Sequence, residues 1–290
     1  MSLFDKLVTQ AMKSRTNLAP LRVVIEKELL HHDILREMSS TGLLNRLTFI
    51  GGTCLRACYG SNRLSEDLDF TGGHDFKRAM LSDLGDILTS RLFGKYGLHV
   101  TVSDPTREAG NVDTWKLKVT IRPEQKNIPL QRINIDICAI PSYDSRPALL
   151  RNHYNVDMGT SGLIIRAQSR QEILADKIVA LALRPNRIKN RDLWDISWLK
   201  QQNIDIPLDL VSKKIRDHRC NTDKFIASLN DRKMTLSASD AQPNFIWEMR
   251  RFLPPQAVTG TIEKREFWLY LIDLIRTECD LVIHKLSKPL

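Results

Sequence analysis

Apolar residues recur at three- and four-residue spacing through most of the first fifty positions. Phe4, Leu7, Val8 and Met12 form one set, and Val24, Ile25, Leu29, Leu30, Ile34 and Leu35 a second, the pattern of amphipathic helices that pack on the next part of the chain. At residues 47–50 the apolar run becomes short and continuous, which predicts a strand ended by Gly51-Gly52. Thr53 then suits the N-cap of a short helix, CLRACYG, closed by Gly60. Residues 67–71 read as a strand and residues 75–96 as an amphipathic helix. Strand-like segments come next at 98–103, 114–121 and 131–140. The last two alternate: Trp115, Leu117 and Val119 face one way and Lys116, Lys118 and Thr120 the other, so an antiparallel pair with one buried face is expected.

Beyond Pro141 the chain is loop-rich to about residue 160, and from Arg170 helical periodicity resumes. It runs through SRQEILADKIVALALR and RDLWDISWLKQQ and then residues 208–218, 222–230, 239–253 and 263–286. The expected class is α+β, with a mixed-sheet core and flanking helices in the first half and a mainly helical second half. The boundary falls between 145 and 170; residues 1–155 and 156–290 are taken as the two domains. A chain of 290 residues is long enough for one large domain or two ordinary ones.

Chemistry enters at Asp67 and Asp69. On a strand, residues i and i+2 share a face, so these carboxylates stand side by side while Leu68 and Phe70 point inward. Held that close they repel unless a cation lies between them, and the hard-oxygen preference selects Mg²⁺ or Mn²⁺. A bare DxD is also compatible with a polar turn. Asp136 sits between Ile135 and Ile137 in an apolar strand, where an unpaired carboxylate would cost on the order of several kcal/mol. If its strand lies beside residues 67–71, Asp136 becomes a third carboxylate at the cation site, the arrangement that phosphoryl transfer needs. Gly51, Gly52 and Thr53 supply a complementary element, because a glycine pair before a helix N-terminus lets backbone N–H groups approach a phosphate.

Charge and cysteine content narrow the setting. Lys and Arg outnumber Asp and Glu by 43 to 34, a net +9, which favours a polyanionic partner. Basic clusters occur at 13–15 (KSR), 184–191 (RPNRIKNR), 213–219 (KKIRDHR) and 249–251 (MRR). Trp194 and Trp198, beside the second cluster, read as core residues rather than as a surface for stacking bases. The five cysteines are odd in number and lack a CxxC pair, so reduced thiols are expected rather than disulfides or zinc; Cys54 and Cys58 are read as small core residues. With no apolar run long enough to span a bilayer and no secretory-type N-terminus, the protein is expected to be soluble and cytoplasmic, without a membrane partner.

The combination GGT…RLSEDLDF with the later NIDIC resembles the nucleotidyltransferase superfamily with a DNA polymerase β-like core. The RxSxDxDF form in Arg63, Ser65, Asp67, Asp69 and Phe70, together with EILADKIVALALR and RDLWDI, resembles the AbiEii/AbiGii family of nucleotidyltransferase toxins of type IV toxin–antitoxin systems. The resemblance covers roughly residues 20–255 and is strongest at 49–70 and 170–199. It implies that Gly52 and Thr53 hold phosphate, that Asp67 and Asp69 bind metal with Asp136 as the third carboxylate, that Lys177 contacts the nucleotide's phosphates, and that Asp192 completes the site. It further implies a nucleoside triphosphate substrate, an RNA acceptor such as a tRNA 3′ end, and a cognate antitoxin, with growth arrest or phage defence as the outcome.

The residues themselves leave several roles open. Lys177 could equally be a snorkelling surface lysine, and Asp192 and Asp195 could be a helix charge pattern around Arg191. Arg63 either contacts phosphate or braces the loop by pairing with Glu66; Ser65 either binds the loop backbone or contacts phosphate. Two rival functions share the fold: a small-molecule nucleotidyltransferase of the antibiotic-modifying kind, whose cationic acceptor sits poorly with +9, and a non-catalytic nucleotide or nucleic-acid binding module.

Overall fold

Seven strands in the described residues align in the order β3-β4-β5-β2-β1-β7-β6. They are β1 (Thr48–Ile50), β2 (Leu68–Thr71), β3 (His99–Ser103), β4 (Val112–Thr120), β5 (Gln131–Cys138), β6 (Ser145–Leu149) and β7 (Ile164–Gln168). The structure is a computed structural model and describes residues 2–13, 18–106, 110–124, 130–185 and 187–288. Ser14 and Arg15 of the KSR cluster and Asn186 of RPNRIKNR lie outside these. The sheet is mixed: β2 runs parallel to β5 and β1 parallel to β7, and the other neighbours are antiparallel. Among the described residues no helix is long and apolar enough to cross a membrane.

The chain divides into two compact units, 1–168 and 169–290. The stretch read as loop supplies β6, and β7 follows where no element was expected. Those strands were missed because β6 is exposed nearly throughout and β7 is only five residues long, too little for a period-2 signal.

In the first unit, helices α1 (Leu3–Lys13), α2 (Arg22–Ser40), α3 (Gly51–Tyr59) and α4 (Leu84–Tyr96) accompany the sheet. Trp115, Leu117, Val119, Ile133, Ile135 and Ile137 are buried on one face, as alternation required, and α4 packs on β3 while α2 reaches β5 and α4. The helix expected over 75–96 is a short 3₁₀ turn at Arg78–Leu81 and then α4. α2 is buried well beyond its apolar stripe. Its Asp33 is fully buried and accepts from Lys95 at 2.6 Å and Tyr96 at 2.8 Å, and its Glu26 accepts from Arg22, Arg122 and Gln131.

The second unit contains α5 (Arg170–Leu183), α6 (Asn190–Gln201), α7 (Leu208–Asp217), α8 (Thr222–Thr235), α9 (Ala241–Met249), the single turn α10 (Pro255–Ala257) and α11 (Arg265–Leu286). Ser169 caps α5 by accepting from the Glu172 backbone N–H. α5 packs against α6, α7 and α8, and α11 against the same three neighbours of α5.

One ion pair binds this unit internally. Lys214 on α7 is 2% exposed and lies 2.6 Å from the fully buried Glu172 and 3.1 Å from Asp176, both on α5. Burial works against its charge, but the fields of Asp176 and Glu172 prevail and hold the ammonium above its ordinary range. The basic stretch 213–219 is therefore not one solvated face. Removing one partner strands a buried charge, so Lys214→Met should cost about 3–5 kcal/mol in denaturant unfolding. The double variant Lys214→Met/Glu172→Gln should recover part of that loss; a single variant as stable as the wild type would contradict this account of the pair.

Candidate active site

The carboxylates meet through strand register. β2 lies parallel to β5 with Asp69 directly opposite Asp136, neighbouring strands being roughly 4.8 Å apart. Asp67 precedes Asp69 by two positions, and its Oδ1 accepts from the Asn134 backbone N–H at 3.0 Å. All three aspartates are half-buried on the open face, while Leu68, Phe70, Ile135 and Ile137 fill the other. The strand of Asp136 does lie beside residues 68–71, the condition under which the sequence placed this carboxylate with Asp67 and Asp69.

Gly51 closes the other side of this group. It has φ +76°, and a Cβ there would lie 2.9 Å from Asp69 Oδ2. Both backbone and space exclude a side chain, so the first residue of α3 comes directly against the carboxylate. Thr53 is not the N-cap: α3 starts at Gly51 after an extended Ile50, which puts Thr53 in the first turn, while Gly60 ends the helix in the left-handed region as expected. The early N–H groups of a helix have no partner within it. At α3 these belong to Gly51, Gly52, Thr53 and Cys54, the anion-binding arrangement read from the glycine pair.

The Thr53 hydroxyl turns inward. It donates to the Asp67 carbonyl and is 2.6 Å from Ser65 Oγ. Ser65 is buried, and its N–H donates to Glu28 Oε1 at 3.0 Å. Arg63 is also buried and donates to the Leu64 carbonyl, while the Glu66 carboxylate accepts from Lys27 at 3.0 Å. Thr53, Ser65 and Arg63 thus lock the loop that delivers Asp67 and Asp69.

Behind this loop lies a polar cluster that spacing gave no means of finding. Glu28 on α2 accepts from Arg56 on α3, from Tyr154 and from Ser65. Burial pushes its carboxyl up, but the Arg56 guanidinium and the hydrogen bonds of Tyr154, Arg56 and Ser65 outweigh that and hold it below the usual range. Burial also drives the neighbouring His32 imidazole down to about 4, against the Glu28 field, with His31, His153 and Arg56 adding to the depression. Cys54 and Cys58 are buried free thiols.

Within the second unit, Lys177 Nζ lies 2.5 Å from Asp192 Oδ1 and 2.8 Å from Asp195 Oδ2, and Arg184 lies 2.5 Å from Asp192 Oδ2. Burial raises the Asp192 carboxyl, but Lys177, Arg184 and Lys189 together hold it far below the carboxylate range. Lys177 on α5 is therefore no freely snorkelling lysine: two buried carboxylates on α6 fix its ammonium. Trp194 is buried and Trp198 half-buried.

Among the described residues no three His, Cys, Asp or Glu side chains form a ready-made ion cage. Half-buried aspartates in lateral register nevertheless fit Mg²⁺ or Mn²⁺. Mg²⁺ in particular is typically taken by one or two carboxylates together with substrate phosphate oxygens and water rather than by an all-protein cage.

A sheet with the paired aspartates on its open face and a glycine-started helix against them suits nucleotidyl transfer. The sequence profile described as "Nucleotidyl transferase AbiEii toxin, Type IV TA system" matches residues 33–264, and the chain belongs to that family. The structure is similar to MenT4, a nucleotidyltransferase toxin of Mycobacterium tuberculosis H37Rv, with TM-score 0.58 and 17% identity over 98% of this chain and 99% of that one, a likeness of fold. It also aligns with JHP933 from Helicobacter pylori, with TM-score 0.42 and 16% identity over 90% and 94% of the two chains. No curated protein matches in sequence.

This geometry has two measurable outcomes. Gly51→Ala forces a left-handed alanine into the Asp69 carboxylate, so a loss of about 1–3 kcal/mol is expected in chemical denaturation, and an unchanged midpoint would count against the close approach. His32 has a folded value of about 4 against roughly 6.5 unfolded. As pH falls from about 6.5 towards 4 the unfolded chain takes up a proton that the folded chain does not, so stability drops, by up to about 3 kcal/mol. Unfolding curves for His32→Gln should be flatter across that window; parallel curves would refute the assignment.

Proposed function

We propose that this toxin transfers a nucleotide from a nucleoside triphosphate to a hydroxyl of RNA, with a tRNA 3′ end as the acceptor, in a reaction dependent on Mg²⁺ or Mn²⁺. The observation that carries the reading is the register of Asp69 against Asp136, with Asp67 two residues away and Gly51 against the Asp69 carboxylate. In the transfer an acceptor oxygen bonds to the α-phosphorus as the bond to the pyrophosphate oxygen breaks.

Asp67, Asp69 and Asp136 would hold the divalent ion, whose charge when bound offsets that of the triphosphate and of the leaving pyrophosphate. Asp136 accepts the proton of the attacking hydroxyl. The N–H groups of Gly52 and Thr53 at the start of α3 hold phosphate oxygens. The family motif assigns Lys177 to the nucleotide's phosphates; within the second unit its ammonium is held by Asp192 and Asp195. As a member of a type IV toxin–antitoxin family, the chain is expected to have a cognate antitoxin, and it works in the cytoplasm.

The test incubates the protein with total RNA, Mg²⁺ and each labelled nucleoside triphosphate in turn. Label should enter tRNA, EDTA should abolish the transfer, and Asp69→Asn and Asp136→Asn should lower it by at least about 100-fold. Lys177→Met should lower it as well. Failure of every triphosphate to label any RNA, or full activity in Asp69→Asn, would sink the reading; labelling of a cationic small molecule instead would transfer it to the antibiotic-modifying class.

A further inference from the structure

We propose that the open face of β4 and β5 is a track for the acceptor, on which Lys116, Lys118 and Arg132 bind the phosphates of a single-stranded RNA segment. This identification of the surface rests on the RNA-acceptor reading above.

Register places the three cations together. Lys118 stands opposite Arg132 and Lys116 opposite Asn134, and the next outward pair on the same face is Thr114 and Asp136. All three basic side chains are exposed, while the alternate positions Trp115, Leu117, Val119, Ile133 and Ile135 are core. A strand whose other face is buried cannot turn its charges away. Arg132, Asn134 and Asp136 therefore form a row on β5, with Arg132 about 13 Å from Asp136 and each step in the row roughly 6.6 Å. That step is close to the separation of successive phosphates along an extended strand, and the row ends at the carboxylates where an acceptor hydroxyl must arrive.

The chemistry of the row also calls for an anion. Like charges directly opposite across an antiparallel pair are destabilising, yet Lys118 and Arg132 face each other with no acidic partner among the described residues. Several basic residues elsewhere in this unit are paired internally: Lys27 with Glu66, Arg56 with Glu28, Lys95 with Asp33 and Arg122 with Glu26 and Asp5. The flanking positions on β3 are Thr101 opposite Lys118 and Ser103 opposite Lys116, small and neutral. Lys118 and Arg132 lie about 13 Å along the strands from Asp136, so a polymer lying along the row can contact them and reach the carboxylates at the same time. The two successive cationic positions, Lys116 and then Lys118 with Arg132, are one same-face step of roughly 6.6 Å apart, a separation that suits adjacent phosphates of a nucleic-acid backbone.

The experiment measures binding of the full chain to a labelled single-stranded RNA and to tRNA over a range of salt, without triphosphate. Lys116→Ser/Lys118→Ser/Arg132→Ser should bind at least about 10-fold more weakly at low salt, and its log–log salt slope should be shallower by about 2, near 0.7 per lost contact. A charge-matched control, Lys224→Ser/Lys264→Ser/Arg265→Ser, should behave as wild type, and triphosphate-induced thermal stabilisation should be the same in all three. Wild-type affinity and slope in the strand variant would overturn the track, as would RNA affinity lost equally in the control, or strand substitutions that abolish binding of an acidic protein and leave RNA binding intact. The two readings fail separately. Strand-dependent RNA binding without any nucleotide transfer keeps the track and removes the transferase reading; transfer that is equal in wild type and strand variant does the reverse.

Discussion

Asp69 and Asp136 stand opposite each other on adjacent parallel strands, and like charges at that separation repel. The rest of the first unit is arranged to hold them there. Isoleucines on either side of Asp136 and Leu68 and Phe70 around Asp69 anchor both strands from the buried face, so neither aspartate can leave the open face without dragging apolar side chains into water. Gly51 fixes how near α3 comes, since any larger residue would displace the carboxylate.

Rigidity comes from a polar layer beneath. Glu28, Arg56, Tyr154 and Ser65 join α2, α3 and the loop before β2, and Thr53 passes the constraint on to Asp67. Buried networks of this kind are costly when half-satisfied and specifying when complete. The second unit repeats the device at Lys177, where two carboxylates from α6 hold one ammonium of α5, and at Lys214. In both units the positions of charged groups are settled by other charged groups that are distant in sequence.

The open face of the sheet has two electrostatic characters. Carboxylates gather where β2 meets β5, and cations lie towards the start of β5 and the later part of β4. Because the two sets share one face of one rigid pair of strands, their separation is set by strand rise and does not depend on side-chain flexibility. In the proposed reaction the acceptor polymer and the triphosphate would take these two distinct, adjacent regions of the face.

Much of this was legible in residue order. Period-2 alternation in β4 and β5, the glycine pair, the DxD and the helical period after Arg170 are local patterns, and local patterns arise from the backbone geometry of strands and helices. They determined the α+β class, the helical second half, the outward pairing of Asp67 with Asp69 and the family. Register, burial of charge and partner choice were decided only in three dimensions. Nothing in the spacing tells that Thr53 turns inward, that Glu28 rather than an apolar residue supports the loop, or that β6 and β7 complete the sheet. The physical reason is the same in each case: a polar group's energy is set by the group that ends up beside it, and these partners, up to 126 residues apart for Glu28 and Tyr154, are brought together only by the fold.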